Sequence, residues 1–216
     1  MIPIKTGIAG FDEFMLGGLP ARVLLLVGLP GSGNEVFARQ VAYTRAKHTG
    51  VTYLTISMKP EFVREDMAAY GWDVTCLEET GAWKFINLKD DNEIVDNILN
   101  EIKQHRSIVI DSFSEFLLNH KIEQAATLLT AMAVENVDCK ECHFVLLTEG
   151  MQDKKAETAM EYFAEGVITF NTTWTADTTI RNMFIKKMRG APVPSRRLPY
   201  NVGKKGFVIE TAIRIT

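Results

Sequence analysis

The chain has 216 residues, 46% of them hydrophobic and 24% charged, with a formal net charge of −3. Such a length and composition suit one soluble globular domain over residues 1–216 with a sizeable core, and the slight negative charge gives no global drive toward nucleic acid or anionic membranes. The N-terminal MIPIKTGIAGFDE lacks the apolar core of a signal peptide and no run reaches the length of a transmembrane helix, so a cytoplasmic location with no membrane partner is expected.

Taken in chain order, residues 22–27 (RVLLLV) form a short apolar run that predicts a buried strand. The glycine-rich segment GLPGSGNE follows at 28–35, and residues 35–47 then place Val36, Phe37, Val41 and Tyr43 at roughly helical spacing. Residues 51–57 (VTYLTIS) read as a second strand. Pro60, suited to a first helical turn, opens a helix over 60–70 that stops at Gly71. A short strand is predicted at 83–88 (WKFINL), and a helix over 92–105 begins with Asn92 and carries Ile94, Ile98 and Ile102 on one face. Residues 107–110 (SIVI) are a buried strand ending at Asp111, followed by a helix at 121–136 and a strand at 143–148 (HFVLLT). This alternation implies βαβ units: an α/β fold with a mostly parallel central sheet and helices on both faces. After about residue 166 the helices stop, and VITFN, TTIRNMFIKK and FVIETAIRI predict an antiparallel C-terminal extension on one sheet edge. The proline-rich APVPSRRLP at 191–199 reads as an exposed loop.

Strand, glycine loop and helix in that order are the context of a phosphate-binding loop. Gly28 and Gly33 have the right spacing, and Gly31 and Gly33 permit positive φ and close backbone approach. The loop amides and the helix N-terminus attract an anion. The next two positions should be Lys, to neutralise phosphate, and Ser or Thr, to hold Mg²⁺. They are Asn34 and Glu35. Losing a charge-assisted hydrogen bond of about 1.5–3 kcal/mol weakens phosphate binding roughly ten- to a hundredfold. Glu35 adds a repelling carboxylate, although a carboxylate can itself ligate Mg²⁺. The plainer expectation is that Asn34 and Glu35 form the solvated first turn of the helix, where acidic groups suit the dipole.

Asp111 is the second chemical marker, because the C-terminal tip of a buried strand is where open α/β sheets bind ligands and where P-loop proteins order Mg²⁺. The three cysteines are Cys76, Cys139 and Cys142. CKECH at 139–143 matches the haem-attachment pattern, but attachment needs export, and His143 reads better as the first residue of a strand. Two reduced thiols in a loop are expected at 139 and 142.

TGIAGFDEFMLGGLP at 6–20, the 28–35 loop, YGWD at 70–73, SIVIDS at 107–112, Tyr162 to Val167 and KKMRG at 186–190 together resemble the KaiC-like ATPases of the RecA superfamily, over nearly the whole chain and in the family's order. The resemblance implies a RecA-like P-loop NTPase fold, ATP held at subunit interfaces, and rings, often hexameric, among active members. By resemblance Lys187 and Arg189 match basic residues that reach a neighbour's phosphates, and Asp111 matches the magnesium-site Asp. The family usually has two glutamates after the second strand to activate the attacking water. Here Met58 and Lys59 stand in that place, and neither a thioether nor an ammonium acts as that base. Glu61 lies past Pro60 and reads as a first-turn residue.

Gly28, Gly31, Ser32, Gly33, Asn34 and Glu35, joined by Lys187 and Arg189, are therefore the candidate nucleotide-binding positions, and Asp111 is the candidate metal ligand. No residue is assigned as catalytic. ATP and Mg²⁺ are implied by the resemblance and weakened by the departures, so neither is assigned as a cofactor. The leading expectation is a KaiC-like protein inactive as an ATPase, a regulatory or signalling module acting on a protein partner or on copies of itself. A weak ATP binder or slow ATPase using Lys59 and Glu61 stays open. So does a nucleic-acid-binding module using residues 181–205, since Thr178 to Phe207 holds eight Lys and Arg and no acidic residue. Against that reading, aromatic rings for base stacking are few there.

Overall fold

The computed structural model describes residues 2–88 and 94–210. The predicted helix onset at Asn92 and the strand residues after 210 lie outside the described residues. The chain begins with a short helix, α1 (Phe11–Phe14), then β1 (Val23–Gly28) and α2 (Asn34–Ala46). Next come β2 (Gly50–Thr55), α3 (Pro60–Ala69), α4 (Thr75–Glu79) and β3 (Trp83–Asn87). They are followed by α5 (Ile94–Lys103), β4 (Arg106–Asp111), α6 (Phe113–Asn119), α7 (Ile122–Cys139) and β5 (His143–Thr148). The described chain closes with α8 (Lys154–Phe163), β6 (Gly166–Trp174), β7 (Thr179–Met188), β8 (Leu198–Gly203) and β9 (Gly206–Ile209).

The strands form one nine-stranded sheet in the order β3-β2-β4-β5-β1-β6-β7-β8-β9. Pairings from β3 through β6 are parallel, and β6–β7, β7–β8 and β8–β9 are antiparallel. This is the predicted α/β architecture with its C-terminal extension. Alternation along β1 sets the two cores: Leu24 and Leu26 face one side with α2, while Val23, Leu25 and Val27 face the other with α5, α7 and α8. On the first side Phe37 is fully buried, with its ring edge-on to Phe11, Phe144 and Phe207. That cluster fixes α2, and with it the glycine loop, against the sheet. Among the described residues no helix is long and apolar enough to cross a membrane.

Two local expectations need correction, and two helices were not foreseen. Cys139 is the last residue of α7 and Cys142 is fully buried against β5, so the two free thiols do not share a loop. The proline-rich segment ends in strand rather than loop, because Leu198 is buried and opens β8. Helices α6 and α8 were not expected from the sequence, although α6 sets Phe113, Phe116 and Leu117 at helical spacing. They are fixed by tertiary contact and by Asp153, whose carboxylate caps α8 by accepting from the Ala156 N–H at 2.7 Å.

Candidate functional site

The glycine loop joins β1 to α2 at the C-terminal edge of the parallel strands. Gly31 and Gly33 have φ of 77° and 89°. Gly31 faces open space, whereas a Cβ on Gly33 would stand 2.6 Å from Val202 Cγ2. The β8–β9 hairpin thus packs on the Gly33 end of the loop and leaves Gly31 open. Tyr200, buried and stacked on Phe207 with centroids 4.4 Å apart, donates its hydroxyl to the Ser32 carbonyl at 2.6 Å. Burial pushes the Tyr200 phenol up to about 12, so it stays protonated as a donor. A bond from the Ser32 N–H to the Leu29 carbonyl at 3.0 Å completes the turn.

Asn34 and Glu35 do not form a solvated turn. Asn34 is buried: its Nδ2 donates to the Leu26 carbonyl at 3.4 Å and its Oδ1 accepts from Ser32 Oγ at 3.3 Å. The residue that replaces the phosphate lysine is turned inward onto β1. Glu35 is half-buried at the start of α2. Burial raises its carboxyl above the usual range, and its own backbone N–H and Arg39 partly offset that.

Parallel register pairs Thr55 of β2 with Asp111 of β4, which puts the carboxylate at the sheet's C-terminal tip as expected. What it meets there was not expected. Arg39, buried on α2, donates from Nη2 to Asp111 Oδ2 at 3.1 Å, from Nη1 to Asp66 Oδ2 at 2.9 Å and from Nε to Tyr53 Oη at 3.0 Å. Tyr53, fully buried on β2, donates its hydroxyl to the same Asp111 oxygen at 2.5 Å. Burial opposes charge on Arg39, but Tyr53 and Asp111 outweigh it and hold the guanidinium above its ordinary pKa. Burial also raises the Tyr53 phenol. These residues do not fit a magnesium–nucleotide group as they stand. Asp111, the candidate metal ligand, already accepts from a guanidinium and a phenol at Oδ2, and the hydroxyl position is a carboxylate.

The water-activating position is equally altered. Met58 packs against the core and Lys59 is the exposed N-cap residue of α3. Glu61 sits in the first turn of α3, as expected, and pairs with Arg64 at 3.3 Å. Lys187 and Arg189 lie at the opposite end of the sheet, with Lys187 in register with Val167 near the start of β6. They line a cavity of about 840 Å³ with Tyr162 and Phe163. Lys187 Nζ donates to the carbonyls of Glu161, Tyr162 and Ala164 at 3.2, 2.7 and 2.6 Å, capping α8, and burial lowers its pKa. Lys186 pairs with Glu161 at 2.5 Å, and Arg189, largely exposed, is 3.8 Å from Glu165. Within one copy, then, the structure brings together residues 28–35 and Asp111 but not Lys187 and Arg189.

Sequence reasoning missed Arg39, Tyr53, Tyr200 and Val202. Arg39 had a legible signal: four residues after Glu35, it shares that residue's helix face and so points toward the loop. Tyr200 and Val202 had none, because only the fold brings them to a loop about 170 residues earlier.

Comparison with known proteins agrees with this architecture. The family model described as "ATPase: KaiC" matches residues 4–213. A UPF0273 protein of Pyrococcus horikoshii is 26% identical, covering 95% of this chain and 93% of its own length. A UPF0273 protein of Methanocaldococcus jannaschii is 25% identical, with 95% of each chain covered. The circadian clock protein KaiC3 of Synechocystis is 24% identical over 95% of this chain and 45% of its own. The crystal structure of a KaiC-like protein from Pyrococcus horikoshii superposes with a TM-score of 0.80 at 25% identity, covering 97% of this chain and 99% of that one.

Proposed function

This chain belongs to the KaiC family of RecA-superfamily ATPase domains, and from that premise we propose that it is a non-catalytic member, a regulatory or signalling module that acts through contacts with a protein partner or with further copies of itself. The observation that carries this reading is the inward turn of Asn34 onto the Leu26 carbonyl. Where hydrolysis needs a cation aimed at phosphate, this chain has a neutral amide committed to its own strand. Glu35 in place of the metal hydroxyl and Met58 and Lys59 in place of the base point the same way. One such loss can be compensated; three in two separate segments point to a retained fold with discarded hydrolysis.

Isothermal titration of the purified chain with ATP, with and without Mg²⁺, together with a turnover assay, tests the reading. No saturable binding at low nucleotide concentration and no turnover above background are expected. Turnover that disappears in Asp111→Ala would overturn it. Binding without turnover would replace it by the weak nucleotide-binder reading. Retention of DNA with a steep salt dependence would favour a nucleic-acid partner.

A further inference from the structure

A guanidinium and a divalent cation can answer the same need. Each offers positive charge to a set of oxygens, one through planar N–H donors and the other through direct coordination. At Asp111 the need is acute, because the side chains of Asp111 and Arg39 are only 9% and 5% exposed. A buried carboxylate without a partner is strongly unfavourable.

Arg39 meets that need from a fixed position on α2, and its three donors reach three different elements: Tyr53 on β2, Asp66 on α3 and Asp111 on β4. Arg39 thus joins the helix that follows the glycine loop to two strands of the sheet's far half, β2 and β4, and to α3. Among the described residues no three His, Cys, Asp or Glu side chains converge closely enough to hold a metal. Asp66 and Asp111 are instead both bonded to the Arg39 guanidinium, one to each terminal nitrogen.

We infer that Arg39 is a built-in counter-ion: it stands in for a divalent cation at Asp111 and ties α2, β2, α3 and β4 together, so the site keeps one arrangement with or without nucleotide and metal. The inference concerns the site just described and rests on its being non-catalytic. It adds that the module is constitutive, with no nucleotide-driven switch.

Thermal unfolding of the full chain tests it, with Mg²⁺, Mg²⁺ plus ATP, and methylguanidinium as the added probes. The Tm of the parent should move by no more than about 1 °C with Mg²⁺, with or without ATP, since a ligand with no preference for the folded state shifts nothing. Arg39→Ala should lower Tm by about 10 °C, the effect of leaving a buried charge unpaired in a chain of this size. Millimolar methylguanidinium should recover part of that loss in Arg39→Ala and none in the parent. Arg39→Met combined with Asp111→Leu should be more stable than Arg39→Met alone, and this pair carries the test if Arg39→Ala does not fold. An Arg39→Ala protein as stable as the parent, or a double variant no better than the single one, overturns the inference. Stabilisation of the parent by Mg²⁺ alone overturns this inference alone; stabilisation by Mg²⁺ plus ATP without turnover overturns it and moves the proposed function to the weak nucleotide binder; turnover overturns the non-catalytic reading and this inference with it.

Discussion

The Tyr200 hydroxyl donates to the Ser32 carbonyl at 2.6 Å, a buried bond between the C-terminal hairpin and the glycine loop. It ties the Ser32 end of the loop to the core, while Pro30 and Gly31 stay exposed. Tyr200 also stands edge-on to Phe170 and stacks on Phe207, so its ring and its hydroxyl hold different things. Tyr200→Phe keeps the ring and leaves the Ser32 carbonyl without that donor, a loss of about 1–3 kcal/mol. Tyr200→Ala removes both and should cost about 3–5 kcal/mol. Urea unfolding of the two variants checks the order. Equal stability of Tyr200→Phe and the parent would show that the hydroxyl contributes nothing.

Gly31 and Gly33 share a left-handed backbone but not their surroundings. Both substitutions to Ala carry the strain of positive φ, on the order of 1 kcal/mol or more. Only Gly33→Ala also drives a Cβ to 2.6 Å from Val202. Gly33→Ala should therefore be the more destabilising, and Gly33→Ala with Val202→Ala should recover part of the difference. Denaturant midpoints for the three variants read this directly.

Restoring the loop chemistry should separate phosphate affinity from metal dependence. Asn34→Lys with Glu35→Thr adds a cation and removes a repelling carboxylate, together about 3–5 kcal/mol of phosphate affinity. Asp111 would still be held by Arg39 and Tyr53. ATP binding by the double variant should therefore depend little on Mg²⁺, and turnover should stay near zero for want of a base at Met58 and Lys59. Calorimetry with and without Mg²⁺ decides it. A folded double variant that binds no ATP would mean that the hairpin over Gly33 has closed the loop to phosphate.

His143 should make the fold acid-sensitive. It is fully buried at the start of β5, accepts from the Ile108 N–H through Nδ1 at 3.1 Å, and leaves Nε2 without a partner. Burial pushes its pKa from 6.5 down to about 3. Between those values the unfolded chain binds a proton that the folded chain refuses, so stability is intact above pH 6.5 and falls as pH falls toward 3. The loss from pH 6.5 to 4.5 should be ~2–3 kcal/mol. His143→Gln, which keeps an acceptor and does not titrate, should flatten that slope by about one proton. An unchanged slope would assign the acid sensitivity to other groups.

Much of the fold was legible in the sequence because its signals are local. Apolar runs such as RVLLLV and SIVI, the glycine spacing at 28–33 and Pro60 at the head of α3 each report on a few neighbouring residues. The same locality placed Asp111 at a strand tip and showed that Asn34 and Glu35 depart from the phosphate-loop pattern, while the family resemblance marked Met58 and Lys59 as standing where two glutamates are usual. By itself, then, the sequence determined the α/β sheet with its antiparallel edge, the position of the loop and its departures from the family's usual residues. Only the tertiary structure decided what became of the remaining site. Asn34 was expected in solvent, and packing of α2 on β1 turns it inward to the Leu26 carbonyl. Asp111 was expected to await a metal, and the register of β2 with β4 brings Tyr53 and Arg39 to its oxygen. Tyr200 and Val202 reach the loop because β8 and β9 fold back across it. Each of these contacts joins residues far apart in the chain, and the free energy of burying a charge or a polar group depends on which distant partners the fold supplies.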